Sequence, residues 1–155
     1  MRKNVLVVDG AEKVYEGHNR GVAALRGVSF QVAAGDFIAL MGPSGCGKST
    51  LLHLVGGMDR PTRGAVHLDG VRIDSLGEEA LARLRRKKIG FVFQFFNLLP
   101  TLTVAENVAL PAMLDGAAGR ESRDRALALL DRVGLSGRAS HFPSELSGGE
   151  MQRAA

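Results

Sequence analysis

Nine consecutive residues constrain this chain more than any others: Gly42-Pro43-Ser44-Gly45-Cys46-Gly47-Lys48-Ser49-Thr50. In front of them Phe37–Met41 is an unbroken apolar run, the pattern of a buried strand. Behind them Ser49–Val55 predicts a helix, stopped by Gly56-Gly57. Strand, glycine-rich loop and helix in that order match the phosphate-loop pattern G-x-x-x-x-G-K-[ST] in full. The chemistry requires these residue types. A triphosphate needs several donors converging at close range. Glycines let the backbone curl until its N–H groups point inward, with no Cβ in the way. The helix that follows adds about half a positive charge at its start. Lys48 is the candidate to reach the β- and γ-phosphates and act in catalysis, and the Ser49 hydroxyl is the candidate ligand for Mg²⁺. All nine residues, Gly42 to Thr50, are therefore candidate nucleotide-binding residues. Such a loop does not by itself separate kinases, GTPases and ATPases.

The rest of the chain sets the frame. A length of 155 residues fits one domain. Val5–Val8, Lys13–Tyr15 and Val28–Val32 read as short strands, and Ala65–Ile73 as a hairpin turning at Asp69-Gly70. Ile89–Phe93 is a second apolar strand, ending at Gln94. Helical patterns cover Glu78–Arg86, Val104–Leu114 and Glu121–Val133. A strand-rich part over residues 1–94 thus precedes a helical part over 95–148, with the start of a further helix over 149–155. The single cysteine, Cys46, excludes an internal disulfide and fits a reducing compartment. No stretch approaches the roughly 18 apolar residues of a membrane span, so a membrane role has to come through a partner. The net charge of +4 is mildly basic. The basic run Arg83, Arg85, Arg86, Lys87, Lys88 has no interleaved aromatics and reads as a solvated helix end, not a nucleic-acid site. His18, His53, His67 and His141 are scattered, without metal-ligand spacing.

A second motif, Leu146-Ser147-Gly148-Gly149-Glu150, admits two readings. Ser147 stands three residues before Glu150, as Ser75 stands before Glu78 and Thr103 before Glu106, so all three are candidate capping boxes. Alternatively, Ser147 caps a helix whose free N–H groups, beside two glycines, receive a phosphate. Taken alone, the motif leaves the two readings level.

With the phosphate loop upstream, Leu146–Glu150 resembles the signature of the ABC transporter ATP-binding subunits. The stretch Ile89–Pro111, IGFVFQFFNLLPTLTVAENVALP, is similar to the subgroup serving lipoprotein release and macrolide export, and the resemblance runs from about Val14 to Arg153. Met151 departs from the subgroup's usual glutamine, and Asp36 from the commoner glutamate.

The resemblance implies an α/β fold, a P-loop NTPase (RecA-like) core with an N-terminal antiparallel β subdomain and a helical subdomain. It implies ATP and Mg²⁺ as cofactors. Tyr15 falls where the family has an aromatic that stacks on adenine. Gln94 matches the switch glutamine that helps hold Mg²⁺ and the attacking water. Ser147, Gly148, Gly149 and Glu150 would face the nucleotide of a second subunit in a two-subunit sandwich. Closure of that sandwich would drive a transmembrane permease partner, placing the protein on the inner face of the cell membrane. Family members also end a later strand in an Mg²⁺-binding aspartate followed by a catalytic glutamate, and five residues follow Glu150 here. The resemblance therefore implies a C-terminally truncated cassette that binds MgATP, hydrolyses it poorly and leaves Phe37–Met41 with an open edge. A non-catalytic ATP-binding remnant is the alternative. A DNA-acting ABC ATPase fits less well, because Phe95–Leu146 carries no coiled-coil heptads and no cysteine.

Overall fold

The computed structural model describes residues 2–16 and 21–155; His18 lies outside them. The chain divides into two compact units, Met1–Ile89 and Gly90–Ala155.

The first unit is built on a four-stranded antiparallel sheet of order β2-β1-β3-β4, with β1 Asn4–Tyr15, β2 Val22–Ala33, β3 Arg63–Leu68 and β4 Val71–Arg72. The two short strands expected at Val5–Val8 and Lys13–Tyr15 are one strand. What separates them in sequence is a bulge, not a break. The β1–β2 register shifts between Val8 and Ala11, and Gly10 takes φ 54° with its N–H donating to Ser29 Oγ at 2.8 Å. Across that bulge β3 comes so close that a Cβ on Gly64 would strike the backbone oxygens of Asp9 and Gly10. The hairpin turns at Asp69-Gly70 as expected. Both residues have positive φ (51° and 84°), the requirement of the two-residue turn that matches strand twist.

Helix α1 (Lys48–Val55) packs on this sheet through Leu51 and Leu54, one turn apart on the same face. They meet Val8, Leu25 and Val66 from the strands, and Leu81 of α2 (Glu78–Lys88) closes the cluster. The capping box expected at Ser75 does not form. The α2 N-cap is Gly77, Ser75 Oγ donates to the Arg72 carbonyl at 3.2 Å, and Glu78 is drawn to Arg60 at 2.6 Å instead of turning back on the helix start.

The two apolar runs expected as strands, Phe37–Met41 and Ile89–Phe93, belong to no ladder. Phe37 is 94% exposed, Met41 90% and Val92 85%. An apolar run specifies that it wants cover, but a strand also needs a neighbour for its N–H and C=O groups. Among the described residues no strand lies beside either run.

The second unit is helical, with α3 Val104–Leu114, α4 Gly119–Arg132 and α5 Gly148–Ala154. Thr103 caps α3 in a complete capping box with Glu106. The first N–H groups of α3 also find partners, Val104 on the His141 carbonyl (2.8 Å) and Ala105 on that of Ala139 (2.9 Å). Val104, Leu130, Leu135 and Leu146 form its buried core.

Candidate functional site

The loop Gly42–Gly47 runs directly into α1, so its backbone is fixed by the helix that follows. Gly47 is the N-cap at φ 94°, and a Cβ there would lie 2.5 Å from the Ala24 carbonyl oxygen. Only glycine allows both the left-handed turn and this approach to β2. A cleft of about 500 Å³ opens over the loop, lined by Ala24, Ser44, Gly45, Gly47, Lys48, Ser49 and Thr50. Lys48 folds back over it: Nζ donates to the carbonyls of Gly42 at 2.8 Å and Pro43 at 2.7 Å. Cys46 is exposed, its Sγ 3.6 Å from that ammonium.

This arrangement suits a polyphosphate. The cradle is one that a Cβ at Gly47 would obstruct, the helix start contributes positive potential, and the Lys48 ammonium in the lining is held by carbonyl oxygens that a phosphate oxygen can replace. Ser49 lines the cleft with an exposed side chain, offering the hard oxygen that Mg²⁺ prefers. Among the described residues no three His, Cys, Asp or Glu side chains gather around a point where a metal could sit. A magnesium ion in this cleft would find the Ser49 hydroxyl beside the phosphate oxygens it bridges to the protein.

Tyr15 ends β1, 40% exposed. It pairs with Val22 of β2, two residues before the Ala24 that lines the cleft. Tyr15 stands out in the sequence without the residues that hold it. Its hydroxyl donates to Asp59 Oδ2 at 3.0 Å, and Lys13 Nζ lies 4.9 Å from the ring centroid. Asp59 is 44 residues away in sequence, so no local pattern could have paired them.

In the second unit, Gln94 sits exposed at a bend after Phe91 and Phe93, whose rings stack at 5.4 Å. The segment Ser147–Glu150 forms a complete capping box at the start of α5. Ser147 Oγ donates to Glu150 Oε2 at 2.7 Å and accepts from the Glu150 N–H at 3.3 Å; the Ser147 N–H donates to the same carboxylate at 2.8 Å. Arg138, another residue the sequence did not single out, donates from Nε to Glu150 Oε1 at 2.8 Å. The Ser147 N–H, the Ser147 hydroxyl and then Arg138 hold the Glu150 carboxyl down at about 2. Gly148 and Gly149 are exposed. The helix-start reading of this motif is thus satisfied in full, and it leaves the glycines accessible.

The basic run on α2 is largely occupied. Arg85 donates to the Gly57 carbonyl at 2.6 Å, Arg83 pairs with Glu79 and Lys88 with Asp69. No helix among the described residues is long and apolar enough to cross a membrane.

The chain is similar to known proteins over nearly all of its length. The family model described as ABC transporter matches residues 25–155. An uncharacterized ABC transporter ATP-binding protein of Thermotoga maritima is 49% identical over 155 residues, covering all of this chain and 66% of its own length. The lipoprotein-releasing system ATP-binding protein LolD of Pseudomonas syringae is 48% identical over 153 residues, covering 99% of this chain and 67% of its own. Among solved structures, the dimeric ATP-binding cassette MJ0796 in a post-hydrolysis state with ADP and Pi superposes with a TM-score of 0.89 at 41% identity, over 96% of this chain and 66% of that one. The chain spans about two thirds of the length of these relatives. By the family model, by identity along its whole length and by fold, the chain belongs to the ABC transporter family, with the architecture of its ATP-binding cassettes.

Proposed function

We propose that this chain is the nucleotide-binding part of an ABC exporter ATPase. MgATP binds with its phosphates in the cleft over Gly42–Thr50, Lys48 on the β- and γ-phosphates, Ser49 on Mg²⁺ and Tyr15 against the adenine. Two copies pair around two nucleotides, each presenting Ser147–Glu150 to the phosphate loop of the other, and Gln94 senses the metal and the attacking water. Pairing and hydrolysis drive a permease in the membrane, to which the protein attaches from the cytoplasmic side. The LolD relatives suggest lipoprotein release as the kind of process served.

The observation that carries this reading is the inward-turned Lys48 ammonium in a glycine-built cleft at the start of a helix. Its physical content is electrostatic. One ammonium, the loop N–H groups and the helix start converge where a polyanion would lie, and phosphoryl transfer depends on such positioning and charge stabilisation. The test is binding of a fluorescent ATP analogue with Mg²⁺, followed by sedimentation with and without ATP. Saturable binding lost in Lys48→Ala, with ATP-dependent pairing, supports the proposal. No binding by a folded protein refutes it. Pairing without turnover in the full gene product would favour the non-catalytic alternative.

A further inference from the structure

Tyr15 is one corner of a three-residue cluster. One oxygen of Asp59 accepts the phenol proton at 3.0 Å, and the other accepts from Lys13 Nζ at 2.6 Å. The Lys13 ammonium also lies over the Tyr15 ring, 4.9 Å from its centroid, within the roughly 6 Å reach of a cation–π contact. Two backbone bonds lock the corners: Lys13 Nζ to the Arg60 carbonyl at 2.8 Å, and the Arg60 N–H to Asp59 Oδ1 at 2.7 Å. Unlike the surface pair Arg60–Glu78, with side chains 45% and 80% exposed, Lys13 and Asp59 are only 14% and 29% exposed. Burial pushes the Asp59 carboxyl up, but the bonds from Lys13, the Arg60 N–H and Tyr15 outweigh it and hold the group below the usual carboxylate range. Asp59 is therefore a carboxylate at neutral pH.

It is also tied to the phosphate loop by two routes. Along the sheet, Tyr15 pairs with Val22 and Val14 with Ala23; the next residue, Ala24, lines the loop cleft and its carbonyl faces Gly47. Along the helix, the Asp59 N–H donates to the His53 carbonyl in the last turn of α1 at 3.3 Å, and α1 begins at Lys48.

We propose that Asp59 and Lys13 are positioning residues for the nucleotide base: they clamp the Tyr15 phenol so that a flat aromatic ring stacks on it while the phosphates lie in the loop. This rests on the reading of the loop and Tyr15 as a nucleotide site. A tyrosine free to rotate would lose that freedom when a base stacks on it. A ring pinned at its oxygen and covered by a cation has lost it beforehand, so more of the stacking appears as affinity. Asp59 and Lys13 touch neither base nor phosphate in this proposal. They act through the ring.

The experiment compares two ligands in the full gene product by calorimetry: MgATP, and Mg-tripolyphosphate, which has no base. Asp59→Asn is expected to weaken ATP by about three- to tenfold, the range of an aromatic pair, and to leave tripolyphosphate within about twofold. In a Tyr15→Leu background the same change should have no further effect on ATP. Tyr15→Phe, which keeps the ring and removes only the oxygen that Asp59 holds, is the second variant and guards against a misfolded Asp59→Asn. It should show the same base-specific loss, smaller than that of Tyr15→Leu. Equal loss for both ligands would make the cluster merely structural and overturn the inference, as would no loss for either. A wild-type protein that binds ATP no better than tripolyphosphate would remove Tyr15 from the site and the inference with it. One that binds neither would overturn the reading of the loop itself.

Discussion

The Lys48 ammonium and the Pro43 carbonyl oxygen lie 2.7 Å apart, a hydrogen bond from the helix back into the loop that precedes it. A second bond to Gly42 fixes the same ammonium over the mouth of the cleft. Lys48→Ala removes the only ammonium or guanidinium that the described residues bring to the cleft lining. With about 1.5–3 kcal/mol for a hydrogen bond to a charged group, ATP affinity should fall by at least about tenfold while the melting temperature changes little. Titration with a fluorescent ATP analogue, beside a thermal melt, checks both.

Gly47→Ala should be more damaging to the fold. Its φ of 94° is strained for alanine, and the new Cβ would meet the Ala24 carbonyl at 2.5 Å. Strain of about 1–3 kcal/mol is expected before the clash is counted, so denaturant unfolding should shift and nucleotide binding should be lost together. Retention of both would show that the loop is free to rearrange.

How much of this was legible in the sequence depends on distance along the chain. The loop, α1, the Asp69-Gly70 turn and the Thr103 cap are local patterns, and the structure keeps them. Ser75 failed because the same pattern two residues too early lost its glutamate to Arg60, a partner 18 residues upstream of Glu78. Phe37–Met41 failed as a strand because apolar sequence cannot say which strand will lie beside it. Asp59 beside Tyr15 and Arg138 beside Glu150 were invisible for the same reason: the partners are brought together only by the fold.

Glu150 gives a pH signature. Its carboxyl is held at about 2, below the ordinary 4.5, by Ser147 and then Arg138. A depressed carboxyl contributes stability that is full above its unfolded value and lost as pH falls through the folded one. The gap in melting temperature between wild type and Glu150→Gln should therefore be constant near neutrality, narrow below about pH 4.5 and close near pH 2. A gap that does not change with pH would show that the carboxylate charge is not what holds the start of α5.

The second unit has its own test. Thr103 accepts from the Glu106 N–H at 3.3 Å and its N–H donates to the Glu106 carboxylate at 2.7 Å. Thr103→Ala should cost about 0.5–2 kcal/mol, read by denaturant unfolding, without altering ATP binding to the phosphate loop.

Cys46 offers a chemical probe. It is exposed, and its Sγ lies 2.8 Å from where a Cβ on Gly42 would stand, inside the curl of the loop. Alkylation with N-ethylmaleimide should block nucleotide binding, and bound MgATP should protect the thiol, both visible by intact mass. Cys46→Ser should bind nucleotide and ignore the reagent. Modification that leaves binding intact would place the nucleotide away from this curl.

The eight residues of α1, a rise of about 12 Å, stand between the loop at one end and Asp59, bonded to the last turn, at the other. A helix does not stretch, so the separation of its two ends is a ruler built into the chain. In the proposed site the far end acts only through the Tyr15 ring that Asp59 holds, so a nucleotide whose base reaches that ring while its phosphates stay in the loop gains an effective concentration that two separate fragments never have. Preference for the whole nucleotide over its halves then rests, in the proposed site, on the stiffness of one short helix.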